Sequence, residues 1–143
     1  AMVRYDEERT GVCDISGICT WMTSFIGLPV DTEAVANLMT LGLGTAVTVE
    51  QLTQAALRMQ HIERAFAAKL GLNRDDDKLS KAYYGRIRRN EKESQEIGCS
   101  ETELEKMKDD YYRLLGWDVS TGLPTRETLD KCGLKDVADK LGL

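Results

Sequence analysis

Apolar side chains recur at three- and four-residue steps along most of this chain, and that spacing is typical of helices packed on one face. The longest run begins after Thr48 and Gln51, which have the spacing of a capping box, and it ends at Gly71. Its apolar members are Leu52, Ala55, Ala56, Met59, Ile62, Phe66 and Leu70. No segment alternates apolar and polar residues as a half-buried strand does. The sequence therefore predicts an all-α fold, a single irregular helical domain of about five to seven helices with this longest helix at the centre of its core.

Capping residues predict where the other long helices begin and end. We expect a first helix from about Asp6 to Phe25, because Pro29 disfavours helix in the residue before it. Asp31 is a suitable N-cap for a second helix, and Ser100 with Glu103 predicts a capping box for a later one. The inward residues of that later helix should be Leu104, Met107, Tyr111, Leu114 and Leu115, with Gly116 as its C-cap.

The remaining segments are short or strongly charged. Two short helices, from Pro124 to Leu129 and from Lys135 to Leu141, should end the chain, and Lys81 to Glu96 predicts a short helix followed by a mobile linker. The acidic run from Asp75 to Asp77 has neither the alternating ligands nor the glycine of an EF-hand loop, so no calcium site is predicted. His61 stands alone on the long helix, which favours a hydrogen-bonded structural residue.

Length, composition and charge restrict the class of protein. The 143 residues suit one domain, and 42% of them are hydrophobic, which favours a globular chain. A net charge of -5 argues against a nucleic-acid partner, because phosphate binding needs clustered cations. No apolar run approaches the roughly 18 residues of a membrane span, and no signal-peptide pattern precedes the first helix. We therefore expect a cytoplasmic protein without a membrane partner.

The cysteines do not form a metal motif by themselves. Cys13, Cys19, Cys99 and Cys132 are widely separated, and no C-x-x-C pair occurs. A zinc knuckle and a self-contained iron–sulfur loop are therefore not supported, and we expect reduced thiols.

The stretch from Asp14 to Cys19 is the least ordinary part of the first predicted helix. Asp14 is a charge within an apolar pattern, and Gly17 costs roughly 1 kcal/mol relative to alanine inside a helix. A bound ligand would explain both, since glycine permits close approach, a carboxylate accepts hydrogen bonds and Cys19 can bind metal. A plain helix with a tolerated glycine, a surface aspartate and a buried cysteine explains them as well.

Three blocks of this sequence resemble those of a known family. Asp14-x-x-Gly17-Ile18-Cys19 resembles the Asp-x-x-Gly-(Leu/Ile)-Cys motif in the C-terminal part of the tungsten-dependent aldehyde:ferredoxin oxidoreductases. A second block, which is similar to that family's C-terminal signature, comprises residues 111–118, 122–127, Leu129, Gly133 and Leu134. A third lies between them and comprises Arg58, Ile62, Arg64, Phe66, Gly71, Arg74, Asp76 or Asp77, and Leu79. The match is poorest after Leu79, where Ser80 and Ala82 replace an expected proline and arginine.

The resemblance implies a role for each residue of the motif. Asp14 would contact the pterin of a tungsten or molybdenum bis-pterin cofactor, Gly17 would allow close approach, and Ile18 stands where the family often has leucine. Cys19 would supply one ligand of a [4Fe-4S] cluster, whose other three cysteines would lie upstream. The full-length enzyme would oxidise an aldehyde to a carboxylic acid in the cytoplasm of an anaerobe, with ferredoxin as electron acceptor; some relatives instead reduce aromatic thioesters.

The resemblance also implies that residues 1–143 are the C-terminal helical domain of a longer protein. Ala1 before Met2 resembles the remnant of an expression tag. Alone, this chain should be inactive and hold no cofactor, and apolar surface normally covered by the missing upstream domains should favour self-association through the helix from Asp14 to Ile26. The alternative is a stand-alone helical interaction domain that has lost the chemistry.

Overall fold

A computed structural model of the chain describes residues 2–21, 31–84 and 98–143. Six α-helices lie in these ranges: α1 (Met2–Ser16), α2 (Thr32–Leu43), α3 (Val49–Lys69), α4 (Glu101–Leu115), α5 (Arg126–Lys131) and α6 (Lys135–Leu141). Two 3-10 turns, Arg74–Asp76 and Lys81–Tyr83, follow α3. The described residues form no strand, only the isolated bridges Tyr84–Cys99 and Trp117–Pro124. The predicted all-α class is confirmed for this part of the chain.

The capping predictions for α2, α3 and α4 are confirmed. The Asp31 carboxylate accepts a hydrogen bond from the Ala34 amide at 2.9 Å. Thr48 with Gln51 and Ser100 with Glu103 form complete capping boxes. These side chains satisfy backbone amides that the first turn of a helix leaves unpaired, and so they determine where each helix begins.

The predicted bounds of the first helix are wrong. α1 begins at Met2 and ends at Ser16, because Gly17 adopts a left-handed conformation with φ +69°. The Ile18 amide donates to the Cys13 carbonyl at 3.0 Å, and the Gly17 amide donates to the Asp14 carbonyl at 3.3 Å. Gly17 is therefore a C-terminal cap, not a glycine inside a helix. Residues 22–30, which include the predicted helix end at Phe25, lie outside the described residues.

One part of the core lies where α1, α2 and α3 meet. Its buried residues are Val12, Val35, Ala36, Leu52 and Ala56, with Ile18, Met39 and Val47 packed against them. Gly11 is buried at the crossing of α1 and α3, where a Cβ atom would lie 3.0 Å from the Ala56 Cβ. The missing side chain thus lets the two helices approach closely. The prediction that α3 lies at the centre of the core is confirmed.

The apolar stripe of α3 is buried only in part. Leu52 and Ala56 are buried, whereas Ile62, Phe66 and Leu70 are exposed to 44%, 66% and 68%. Along the second half of α3, His61 and Ala65 face the core instead, so the helix face that carries the predicted stripe is exposed. On α4, likewise, Met107 and Leu114 are exposed, and Tyr112 and Leu115 form the buried face.

Two smaller apolar clusters complete the described core. Tyr112, Leu115 and Trp117 form one with Leu57, Tyr111 and Val119 around it. Leu129, Leu134 and Ala138 form the other between α5 and α6. Within the described residues, no helix combines the length and apolar character that crossing a membrane requires.

Candidate functional site at the end of α1

The four residues of the motif lie together at the C-terminal end of α1. Asp14 is exposed in the last turn, Gly17 is exposed at the cap, and Cys19 is exposed beyond it. Ile18 is half-buried and packs against the core between α1, α2 and α3. A Cβ atom on Gly17 would meet no atom within 4 Å, so the space beside this backbone is open. The end of α1 therefore exposes a carboxylate, bare backbone and a thiol within six residues.

Asp14 also lines a groove between α1 and α3 with a volume of about 570 Å³. The other lining residues are Val3, Asp6, Glu7, Thr10, Gly11, Ala56, Met59, Gln60, Glu63, Arg64, Ala67, Tyr111 and Trp117. Among these, the Arg64 guanidinium is already paired with Asp77. The α1 side of the groove carries three carboxylates, Asp6, Glu7 and Asp14.

Glu7, Gln60 and Tyr111 form a hydrogen-bonded triad in the lining of this groove. Glu7 Oε2 accepts the Tyr111 hydroxyl proton at 2.7 Å and a Gln60 amide proton at 2.7 Å. Gln60 Nε2 also donates to the Tyr111 hydroxyl oxygen, at 2.9 Å. Burial of Tyr111 and its bond to the Glu7 carboxylate raise the pKa of the phenol. Tyr111 therefore remains a neutral hydrogen-bond donor.

His61 is a buried structural residue, as the sequence predicts. Its side chain is 1% exposed, and Nδ1 accepts the Trp117 indole N–H at 2.9 Å. Burial lowers the pKa of His61, and the positive charge of Arg4 lowers it further. The neutral imidazole with an unprotonated Nδ1 is the form that can accept this bond.

Arg64 connects α3 to two other parts of the chain. Its guanidinium donates two parallel bonds to the Asp77 carboxylate, at 2.8 and 2.6 Å, and a third to the Gly122 carbonyl at 2.8 Å. Tyr112 donates its hydroxyl proton to the same carboxylate. Asp77 is thus committed to an ion pair with Arg64. A bidentate pair of this kind also fixes geometry.

The donor set of the motif fits a cofactor site that is shared with other parts of a protein. Among the described residues, no three His, Cys, Asp or Glu side chains converge so that they could hold a metal ion. Cys19 can supply one thiolate, whereas a [4Fe-4S] cluster needs four ligands. The exposed Asp14 carboxylate and the open space at Gly17 suit a large polar group that approaches from outside the domain.

Comparison with known proteins identifies the lineage of this fold and motif. Residues 1–134 match the family model described as "Aldehyde ferredoxin oxidoreductase, domains 2 & 3". The chain belongs to the aldehyde ferredoxin oxidoreductase family. The resemblance found in the three sequence blocks is thereby confirmed. The family is an oxidoreductase lineage associated with tungsten or molybdenum pterins and iron–sulfur clusters.

This aldehyde ferredoxin oxidoreductase domain is also similar to a solved structure. That structure is the active site complex BamBC of benzoyl coenzyme A reductase in complex with 1,5-dienoyl-CoA. The two share 27% sequence identity with a TM-score of 0.78, over 96% of this chain. The chain spans 19% of the length of that relative's chain.

The sequence of this aldehyde ferredoxin oxidoreductase domain did not predict the hydrogen bonds among Glu7, Gln60 and Tyr111. The polar triad was missed because Gln60 and Glu7 belong to no motif, although Glu7 lies seven residues before Asp14 and hence on the same face of α1. Tyr111 was correctly expected as a packing residue, yet its hydroxyl also has a specific acceptor.

Proposed function

We propose that residues 1–143 form the C-terminal helical domain of a tungsten- or molybdenum-pterin oxidoreductase and contribute one wall of its cofactor site. The family match over residues 1–134 is the observation that carries this proposal. The exposure of Asp14, Gly17 and Cys19 at one end of α1 supports it, because a shared site must lie at the surface of an isolated domain.

Each motif residue has a stated task in the proposed site. Asp14 accepts hydrogen bonds from the pterin, Gly17 and Ile18 shape the surface against which it lies, and Cys19 binds one iron of the [4Fe-4S] cluster. When bound, the pterin-held metal supplies two-electron redox chemistry, and the cluster supplies a route for single electrons. The upstream part of the same protein provides the other three thiolates.

We propose aldehyde oxidation to a carboxylic acid as the reaction, with ferredoxin as the electron-accepting partner and the cytoplasm of an anaerobe as the location. The name of the matching family supports this choice. The second candidate is the reduction of an aromatic CoA thioester, and it is favoured by the likeness to the benzoyl coenzyme A reductase structure.

The deciding experiment uses the full-length native protein isolated without oxygen. We expect a chain several times longer than this one, with tungsten or molybdenum and about four irons per chain. The same preparation is then assayed with aldehydes and oxidised ferredoxin, and separately with benzoyl-CoA and a low-potential electron donor. Turnover of aldehydes alone supports the first reaction, and turnover of benzoyl-CoA alone supports the second.

A short, metal-free native protein would contradict both reactions and support a stand-alone helical interaction domain. The reading frame of the parent gene provides an independent check. Upstream cysteines spaced C-x-x-C-x-x-x-C favour the enzyme, and a start codon at Met2 favours the interaction domain.

A further inference from the structure

α1 is held against α3 at a close contact one turn before the motif. Gly11 lies three residues before Asp14, and a Cβ atom there would be 3.0 Å from the Ala56 Cβ and 3.2 Å from the Met59 Cε. Both distances are shorter than ordinary van der Waals contact, so the spacing of the two helices depends on glycine at this position.

A second contact lies one turn further back and fixes α1 along its axis. The Glu7 carboxylate binds both the Tyr111 hydroxyl and the Gln60 amide, which belong to α4 and α3. A hydrogen bond restricts position to a few tenths of an ångström, so two convergent bonds hold α1 against sliding and rotation. Glu7 and Asp14 are separated by about 10 Å along a helix with a rise of 1.5 Å per residue.

The two contacts and the motif share one rigid element and one groove. Glu7, Gly11 and Asp14 all line the groove between α1 and α3. α1 continues without a break to the cap at Gly17, so a shift of α1 at Gly11 moves Asp14 and Cys19 with it. Neither Glu7 nor Gly11 belongs to the motif itself.

We infer that Gly11 and the hydrogen-bonded Glu7, Gln60 and Tyr111 are positioning residues. They set where Asp14 and Cys19 lie relative to the pterin and the cluster. This inference rests on the proposed function. Tyr111 belongs to the second family block, so that block would position the first block, Asp14 to Cys19. Misplacement by a few tenths of an ångström is expected to disturb electron transfer and turnover before it disturbs binding or folding.

The test substitutes Gly11→Ala in the full-length holoprotein. Alanine is the better helix former by about 1 kcal/mol, so lost helix stability does not explain a defect. We expect full metal content, an altered electron paramagnetic resonance spectrum and reduction potential of the cluster, and a kcat lowered about tenfold with KM little changed.

Gly42→Ala is the matched control, because Gly42 also lies within a helix and a Cβ atom there would meet nothing within 4 Å. It gains the same helix propensity without moving α1. Tyr111→Phe is a second test variant, which removes the hydroxyl donor and keeps the ring. Its control is Tyr83→Phe, whose side chain is 57% exposed.

The outcomes separate this inference from the proposed function. Spectral and potential shifts in Gly11→Ala or Tyr111→Phe, absent from both controls, would support it. Wild-type spectra and potentials in every folded test variant that retains its metals would overturn it. A wild-type protein without pterin metal or cluster would overturn the proposed function, and this inference with it.

Discussion

Gly122 packs directly against the guanidinium of Arg64 and the ring of Tyr112. Its φ is +69°, and a Cβ atom there would lie 2.8 Å from Arg64 Nη2 and 2.9 Å from Tyr112 Cζ. The residue thus meets two requirements at once, a left-handed backbone and an absent side chain.

We predict that Gly122→Ala destabilises the domain more than Gly133→Ala does. Both positions have φ +69°, but a Cβ atom on Gly133 would meet nothing within 4 Å. Gly133→Ala should therefore cost about 1 kcal/mol of unfolding free energy for the backbone alone. Gly122→Ala should cost about 1–3 kcal/mol more, because Arg64 and Tyr112 must move. Urea unfolding of both variants measures the difference in unfolding free energy. Equal losses would show that Arg64 and Tyr112 accommodate a methyl group at Gly122 without cost.

The buried pair of Trp117 and His61 gives a second prediction at this scale. Trp117→Phe keeps an aromatic ring in the cluster but removes the indole N–H, which leaves His61 Nδ1 without its donor. An unsatisfied buried acceptor costs about 1–3 kcal/mol, so the urea midpoint should fall. Tyr83→Phe, at a 57% exposed side chain, should change it little. A wild-type midpoint in Trp117→Phe would mean that water replaces the lost donor.

Single residues were predicted well where a local rule decides them. Asp31 and Ser100 cap helices as expected, because a capping bond depends only on residues within the first turn. The partner of His61 could not be predicted, since Trp117 lies 56 residues away and no periodicity relates the two. Asp14, Gly17, Ile18 and Cys19 were singled out by a charge and a glycine within an apolar helical pattern and by their resemblance to a family motif. The proposed roles of these four residues remain predictions.

Among the elements, the turn after α3 depends on an ion pair that should respond to pH. Burial of Asp77 opposes its ionisation, but the hydrogen bonds from Arg64 and Tyr112 outweigh burial and lower the pKa of this carboxyl below its usual 3.8. A lowered pKa in the folded state means that ionised Asp77 contributes stability above pH 3.8, and this contribution is lost as pH falls through the folded value.

We predict that Asp77→Asn lowers the melting temperature near pH 7 and flattens its dependence on pH between about 5 and 2. The neutral amide cannot replace the bidentate partner of Arg64, and it no longer takes up a proton in acid. Melting temperatures measured by circular dichroism across that range test the prediction. Asp130→Asn, at an exposed position, serves as the control. An unchanged pH profile in Asp77→Asn would assign acid unfolding to other carboxyls.

The sequence predicted that these helices exist, but it predicted their bounds and their buried faces only in part. The spacing of Val12, Ile15, Ile18 and Cys19 continues the helical period past Gly17, so periodicity could not reveal that the helix ends at Ser16. On α4 the expected stripe was rotated, because Tyr112 turns inward and binds Asp77, 35 residues away, while Met107 is left exposed. Contacts with distant parts of the chain decide which face is buried, and a single sequence does not contain them.

At the scale of the whole molecule, the three family blocks meet in space. Arg64 from the third block binds the Gly122 carbonyl of the second, and Tyr111 of the second binds Glu7 on the helix that carries the motif. Their order in the sequence revealed the family, but their spatial connection became visible only in the fold. The segments 22–30 and 85–97, which include the predicted linker, lie outside the described residues.

We predict that the 143-residue chain associates with itself in a concentration-dependent manner. Leu41, Phe66 and Leu70 are exposed to 81%, 66% and 68%, and Trp21, in the segment from Asp14 to Ile26, is exposed to 64%. Exposed apolar area of this kind favours association when the partner surface is absent. Sedimentation velocity at rising concentrations measures it, with the full-length protein as the control. A strictly monomeric chain would contradict the prediction.

The last prediction concerns metal in the chain alone and follows from its ligand count. Cys19 is exposed, but the described residues offer no group of three ligands around it, and a [4Fe-4S] cluster needs four. Reconstitution of the 143-residue chain with iron and sulfide should therefore leave it colourless and without stoichiometric iron, tungsten or molybdenum. In the full-length protein, by contrast, Cys19→Ser should remove or convert the cluster, whereas Cys132→Ser should not. Stoichiometric iron in the chain alone, or an intact cluster in full-length Cys19→Ser, would contradict the shared site.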